Sequence, residues 1–165
     1  MPDTLQPFDE LDTDVDTIAA DYMAVRTSSS GRMQLKMLPL TADNQLTADT
    51  LLCVVRTYLS TDGESDIRFY TRDWQRREGT FGLPLTIDSD SLINCLTLRP
   101  DTMTAGRYYE LCRYFDPIMF TARLSADSNN IVLTLSTPML NRDEKTQVKT
   151  IIRPREFKWD GTTFN

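Results

Sequence analysis

The sequence predicts an α+β fold: a single domain built on a mainly antiparallel sheet of hairpins, with two short helices packed on one face. Three observations predict it. Residues 33–74 read as two hairpins back to back. Residues 119–135 repeat the strand–turn–strand pattern. Helical spacing comes late, at 104–115 and after Asn141.

Residues 1–21 form an acidic lead-in carrying Asp3, Asp9, Glu10, Asp12, Asp14, Asp16 and Asp21, and residues 22–165 form the domain. Within the lead-in, 11–20 is expected to carry a short helical turn after a poorly ordered start. Residues 22–26 read as a strand and Thr27-Ser28-Ser29-Ser30-Gly31 as a turn. Met33-Gln34-Leu35-Lys36-Met37 alternates apolar and polar, which puts Met33, Leu35 and Met37 on one face of a strand. Pro39 and residues 41–50 make a polar connection. A β-branched and aromatic run follows at 51–59, then a turn carrying Asp62-Gly63, then a strand at 66–71 ended by Arg72-Asp73-Trp74.

Gly79, Gly82 and Pro84 break any long element in 75–103, where 92–96 suits either a strand or a short helix. Tyr108, Leu111 and Phe115 fall at i, i+3 and i+7, one face of a helix that ends before Pro117. Residues 119–124 and 131–135 flank the polar loop Asp127-Ser128-Asn129-Asn130, a hairpin. Asn141 suits a helix N-cap, with Asp143 and Glu144 in the first turn and Pro154 beyond the end. A last strand at 156–159 turns through Asp160-Gly161 into 162–164.

The 165 residues suffice for one domain with a sizeable core, and 40% hydrophobic with 25% charged is ordinary for a soluble globular protein. Eighteen basic against 24 acidic residues give a net charge of −6, which argues against nucleic acid as the partner, because phosphate binding needs a basic surface. The absence of His removes the Ser-His-Asp and Cys-His arrangements and the commonest general base, but leaves carboxylate, Tyr and Lys chemistry. No apolar run approaches the roughly 20 residues of a spanning helix. Met1-Pro2-Asp3 opens polar, without a signal peptide's basic and apolar regions, which fits a cytosolic chain or a mature form whose leader is gone. Cys53, Cys95 and Cys112 read as buried thiols; in an exported chain Cys95 and Cys112 could pair and leave Cys53 free.

Each candidate for chemistry has a plain counterpart. Asp12-Thr13-Asp14-Val15-Asp16 resembles half of a calcium loop, but Thr17 stands where Gly is needed and Met23 where a bidentate Glu is needed, so a solvated acidic segment is expected. Asp62, Glu64 and Asp66 gather carboxylates in what reads as a hairpin turn. Arg72, Trp74, Arg76 and Arg77 could form a stacking and charge patch; the overall acidity favours a strand end whose Trp covers the core edge. Tyr108, Tyr109, Tyr114 and Phe115 suit either a sugar- or peptide-binding platform or core packing, with Tyr109 off the apolar face. A ligand or partner surface is therefore expected at Arg72, Trp74, Arg76 and Tyr109. No catalytic, cofactor or metal motif is visible.

Met33 to Pro39, Cys53-Val54-Val55, Ser65 to Trp74, Tyr109-Glu110-Leu111-Cys112 and Phe157-Lys158-Trp159-Asp160-Gly161 together resemble a family of uncharacterised exported proteins from Bacteroidetes. Met1-Pro2-Asp3-Thr4-Leu5 looks like the segment that follows the leader in such proteins, although the stretch from Leu5 to Tyr22 is shorter than the family leads one to expect. The resemblance implies a periplasmic or secreted protein after leader removal and supplies no functional residues. With no catalytic constellation beside it, the expectation is a non-enzymatic protein that binds a protein, peptide or glycan. The alternative is a small-molecule-binding or enzymatic domain using carboxylates and Tyr.

Overall fold

The computed structural model describes residues 14–41, 50–58, 63–85 and 89–165. The α+β class and the antiparallel pairing hold, but among the described residues the strands divide between two sheets and there are three α-helices. The first sheet runs in chain order: β1 (Asp14–Ile18), β2 (Tyr22–Ser28), β3 (Gly31–Pro39), β4 (Thr50–Tyr58), β5 (Glu64–Tyr70) and the two-residue β6 (Arg76–Arg77). After α1 (Ser89–Leu96), α2 (Ala105–Cys112) and a 3₁₀ turn at Arg113–Phe115 come β7 (Met119–Leu124) and β8 (Asn130–Ser136). With β9 (Arg155–Lys158), which follows α3 (Arg142–Val148), these make the second sheet in the order β7-β8-β9.

The ambiguous stretch at 92–96 is helical, within α1. The other two helices start where capping chemistry places them. Thr104 accepts a hydrogen bond from the Arg107 amide, and Asn141 forms a reciprocal capping box with Glu144. Gly82 has φ +88° and lies so close to the Phe164 carbonyl that any Cβ there would collide with it.

The expected helical turn at 11–20 is instead strand β1 over its described part. Val15 and Ile18 are three residues apart, a helix-like spacing. A bulge between Val15 and Thr17 shifts the strand's phase, so Val15 faces Val25 and Ile18 faces Met23 on one side of the sheet. The remainder of the calcium-loop resemblance, Asp12 and Thr13, lies outside the described residues, as do Asp62 and the rest of 59–62.

The core lies between the inner face of the first sheet, the second sheet and the helices. Tyr22, Ala24, Leu38, Leu51, Cys53, Val55 and Phe69 meet Ala122, Leu124, Ile131, Leu133, Leu135 and Phe157, with Leu96, Leu111, Phe115, Val148 and Ile151 closing it. β7 packs against β3, β4 and β5. Among the described residues its outward-pointing backbone groups reach no further strand, and buried polar side chains of the first sheet take them up instead. The Ser65 hydroxyl accepts the Ala122 amide at 2.9 Å. Gln34 bonds both backbone groups of Leu124, and the Lys36 ammonium donates to the Ala126 carbonyl at 3.2 Å and pairs with Asp21 at 3.0 Å. Gln34 and Lys36 are thus almost wholly buried, while Met33, Leu35 and Met37 take the other side of the sheet.

Candidate functional site

Two surfaces stand out. The first is the outer face of the first sheet. Strand register places Val15, Ile18, Met23, Val25, Met33, Leu35, Met37, Leu52 and Val54 on one side across β1 to β4. None of these belongs to the core cluster. Val25, Leu52 and Val54 are buried, the methionines and Leu35 are partly exposed, and Val15 and Ile18 are 55% and 70% exposed. Three methionines give the face an adaptable, polarizable surface.

The same register continues the face into Arg56, Asp66, Arg68, Tyr70 and Arg76. Arg68 pairs with Asp66 at 2.7 Å, and that carboxylate, followed by the Tyr70 hydroxyl, pushes the Arg68 pKa further up. Arg76 pairs with Glu78 at 3.3 Å. Trp74 projects from the β5–β6 hairpin, 60% exposed, and packs on the Tyr70 ring at 5.8 Å. It does not cover the core edge. Its backbone is left-handed, with φ +61°, because it occupies the hairpin position that usually belongs to Gly. Arg72 and Arg76 are exposed beside it. The structure thus brings Arg72, Trp74 and Arg76 together at the border of the outer face.

Tyr109 belongs to the second surface, a groove of about 760 Å³ between α1 and α2, closed at one end by the 3₁₀ turn. Asp90 and Asn94 from α1, Tyr109 from α2, and Arg113 and Asp116 beyond it line the groove. Tyr108, Ile93, Cys112, Phe115, Pro117 and Ile118 complete its lining. Tyr109 is 66% exposed and meets the Tyr108 ring edge-on at 5.6 Å. The Tyr108 hydroxyl is 2.6 Å from the Thr97 hydroxyl, which in turn donates to the Ile93 carbonyl. Burial pushes up the pKa of both the Tyr108 phenol and the Cys112 thiol, so both stay protonated. All three cysteines are free, and Cys95 and Cys112 are only partly buried.

Sequence reasoning missed the carboxylates and Arg113 of the groove, which come from separate elements with no motif spacing. It grouped Met33, Leu35 and Met37 on one face of a strand but did not extend that face across β1 to β4, a face whose further signal is the unbroken apolar run 51–55, buried on both sides of β4. Phe115 is core and Tyr108 and Tyr114 pack against it, so the exposed part of the aromatic platform narrows to Tyr109, with Tyr108 beside it in the groove lining. Among the described residues no three His, Cys, Asp or Glu side chains gather to hold a metal ion, and no helix is long and apolar enough to cross a membrane.

A domain of an uncharacterized protein from Porphyromonas gingivalis W83 is similar in structure, with a TM-score of 0.69 over 93% of this chain and 79% of that one. At 18% identity the likeness shows the fold alone. No curated protein matches the sequence. Residues 9–164 match the DUF3256 family, and the chain therefore belongs to that family of proteins of unknown function.

Proposed function

We propose that the chain is an exported, non-enzymatic protein of a Bacteroidetes cell envelope, periplasmic or secreted and folded as one domain, and that the outer face of its first sheet binds a protein or peptide. The observation that carries the reading is the apolar, methionine-rich face itself. Contiguous apolar surface of this kind marks interaction sites in soluble proteins. Four strands about 4.8 Å apart, each giving about five residues, make roughly 300 Å² of sheet. A stable dimer needs about 800 Å² per partner. The size therefore suits a single apolar segment of another protein, with acidic flanks to meet Arg56 and Arg76. Trp74 and Tyr70 at the border supply the aromatic anchors usual at such sites.

An acid–base enzyme finds less support. Asp160 is held low by the Thr163 and Thr162 amides and by Asn165, the opposite of what a general acid needs. Cys112 is kept protonated, the opposite of what a nucleophilic thiol needs. Export is supported by the resemblance to leader-bearing proteins.

The test is site-specific photo-crosslinking in the source cells, with the reactive residue at Met33 or Met37 and, as control, at Asp143 on α3. One discrete adduct from both face positions, absent from the control and found in the periplasmic or secreted fraction, is expected. No adduct from the face, or equal adducts from Asp143, overturns the binding reading; a cytoplasmic protein overturns export.

A further inference from the structure

We propose that the groove between α1 and α2 is a carbohydrate site that takes a neutral oligosaccharide, a role separate from that of the sheet face. A sugar ring has an apolar C–H face and a belt of hydroxyls. An exposed aromatic ring takes the first, and carboxylate, amide and guanidinium groups take the second. The groove offers both. Tyr109 presents a 66% exposed side chain whose ring meets Tyr108 edge-on at 5.6 Å, a contact that supports it on one side. Asp90 and Asp116 supply acceptors, Arg113 supplies donors, and Asn94 supplies both. The volume of about 760 Å³ lies in the range of small-ligand sites.

Other ligand classes fit less well. Two carboxylates against one guanidinium disfavour a phosphate or an acidic ligand, and Arg113 disfavours a cation. An extended peptide would seek an unpaired strand edge, whereas helices α1 and α2 form these walls and offer none.

The experiment is amide chemical-shift mapping on the whole chain with cellotriose, maltotriose, mannotriose and chitotriose, each at about 10 mM, with spermidine as the cationic probe. At least one sugar is expected to shift amides of α1, α2 and the 3₁₀ turn and to leave the outer sheet face unmoved. Tyr109→Phe keeps the affinity within about threefold, while Tyr109→Ala and Asp116→Asn each weaken it by about tenfold or more. Both residues are exposed, so the variants retain the fold, and their spectra check it. The proposal is overturned if all four sugars are silent, if spermidine alone shifts the groove, if the shifts fall elsewhere, or if Tyr109→Ala binds as the unaltered chain does.

Discussion

The side chain of Gln34 is paired with Leu124 as a neighbouring strand would be. Its carbonyl oxygen accepts the Leu124 amide at 3.2 Å, and its amide nitrogen donates to the Leu124 carbonyl at 3.3 Å and to the Tyr22 hydroxyl at 2.7 Å. A sheet edge normally ends in solvent or another strand. Here the edge of β7 ends on the face of the first sheet, and an amide side chain stands in for the missing backbone. Gln34→Leu is close in size but leaves the two Leu124 groups and the Tyr22 hydroxyl buried without partners. The expected cost is about 2–4 kcal/mol, read as a lower urea midpoint with the slope unchanged. A loss below about 1 kcal/mol would show that water replaces the bonds.

This pairing also explains which part of the fold was legible. Alternation at 33–37 correctly gives a strand and correctly groups Met33, Leu35 and Met37. It cannot say which group faces inward. The usual rule would bury the apolar set, yet Gln34 and Lys36 are inside because β7 and the turn after it need partners there, a demand set by residues 90 positions away. Local signals were enough for the cap at Asn141 and for the hairpins β2–β3, β4–β5 and β7–β8. They were not enough for the split into two sheets, which no short-range pattern encodes.

Adjacent residues on β3 test the two faces directly. Met37 is on the partly exposed outer face and Leu38 is fully buried in the core. Met37→Ala is expected to cost about 1 kcal/mol or less, and Leu38→Ala about 2–5 kcal/mol. Thermal melts of the two variants check this. Equal losses would mean that the outer face is as tightly covered as the core, which would also remove the basis of the proposed docking surface.

Asp160 gives the stability a pH dependence of known sign. In the closing turn its Oδ1 accepts from the Thr162 and Thr163 amides and the Thr162 hydroxyl, and its Oδ2 from the Asn165 amide. These bonds, Thr163 first, hold its pKa well below the usual carboxylate range. A depressed folded pKa adds stability above the unfolded value of about 4, and that stability is lost as pH falls through the folded value. Melts of the unaltered chain and Asp160→Asn should differ at pH 5–7 and converge as pH falls below about 4. A gap that stays constant with pH would assign the difference to lost hydrogen-bond geometry alone.

Trp74 is legible in the sequence as a surface residue, but its left-handed backbone is not. An αL position in a hairpin usually advertises itself as Gly or Asn, and here it is filled by a Trp. The strained backbone is consistent with a side chain kept at the surface for contact. Trp74→Gly relieves the left-handed backbone, while Trp74→Ala loses the Tyr70 contact and keeps the strain. The Gly variant is expected to be more stable than the Ala variant by about 1 kcal/mol in urea unfolding. Both should lose the crosslinked adduct if the sheet face binds as proposed.

The three thiols differ in a way that reports on core opening. Cys53 is fully buried between β3 and β5, and burial pushes its pKa far up. Only the thiolate attacks a disulfide reagent, so the native protein should leave Cys53 unreacted until the sheet opens. Cys95 and Cys112 are partly exposed and accessible. Burial raises the Cys112 pKa, so at pH 8 it should react more slowly than a free thiol and speed up as pH rises. Ellman's reagent on the denatured, unreduced chain should count three thiols. On the native chain, mass-resolved labelling should place the slow site at Cys53, with a rate that follows global unfolding in urea. Fast native labelling at Cys53 would mean that β3, β4 and β5 separate locally. The outer face those strands carry would then be too mobile to serve as a preformed docking surface.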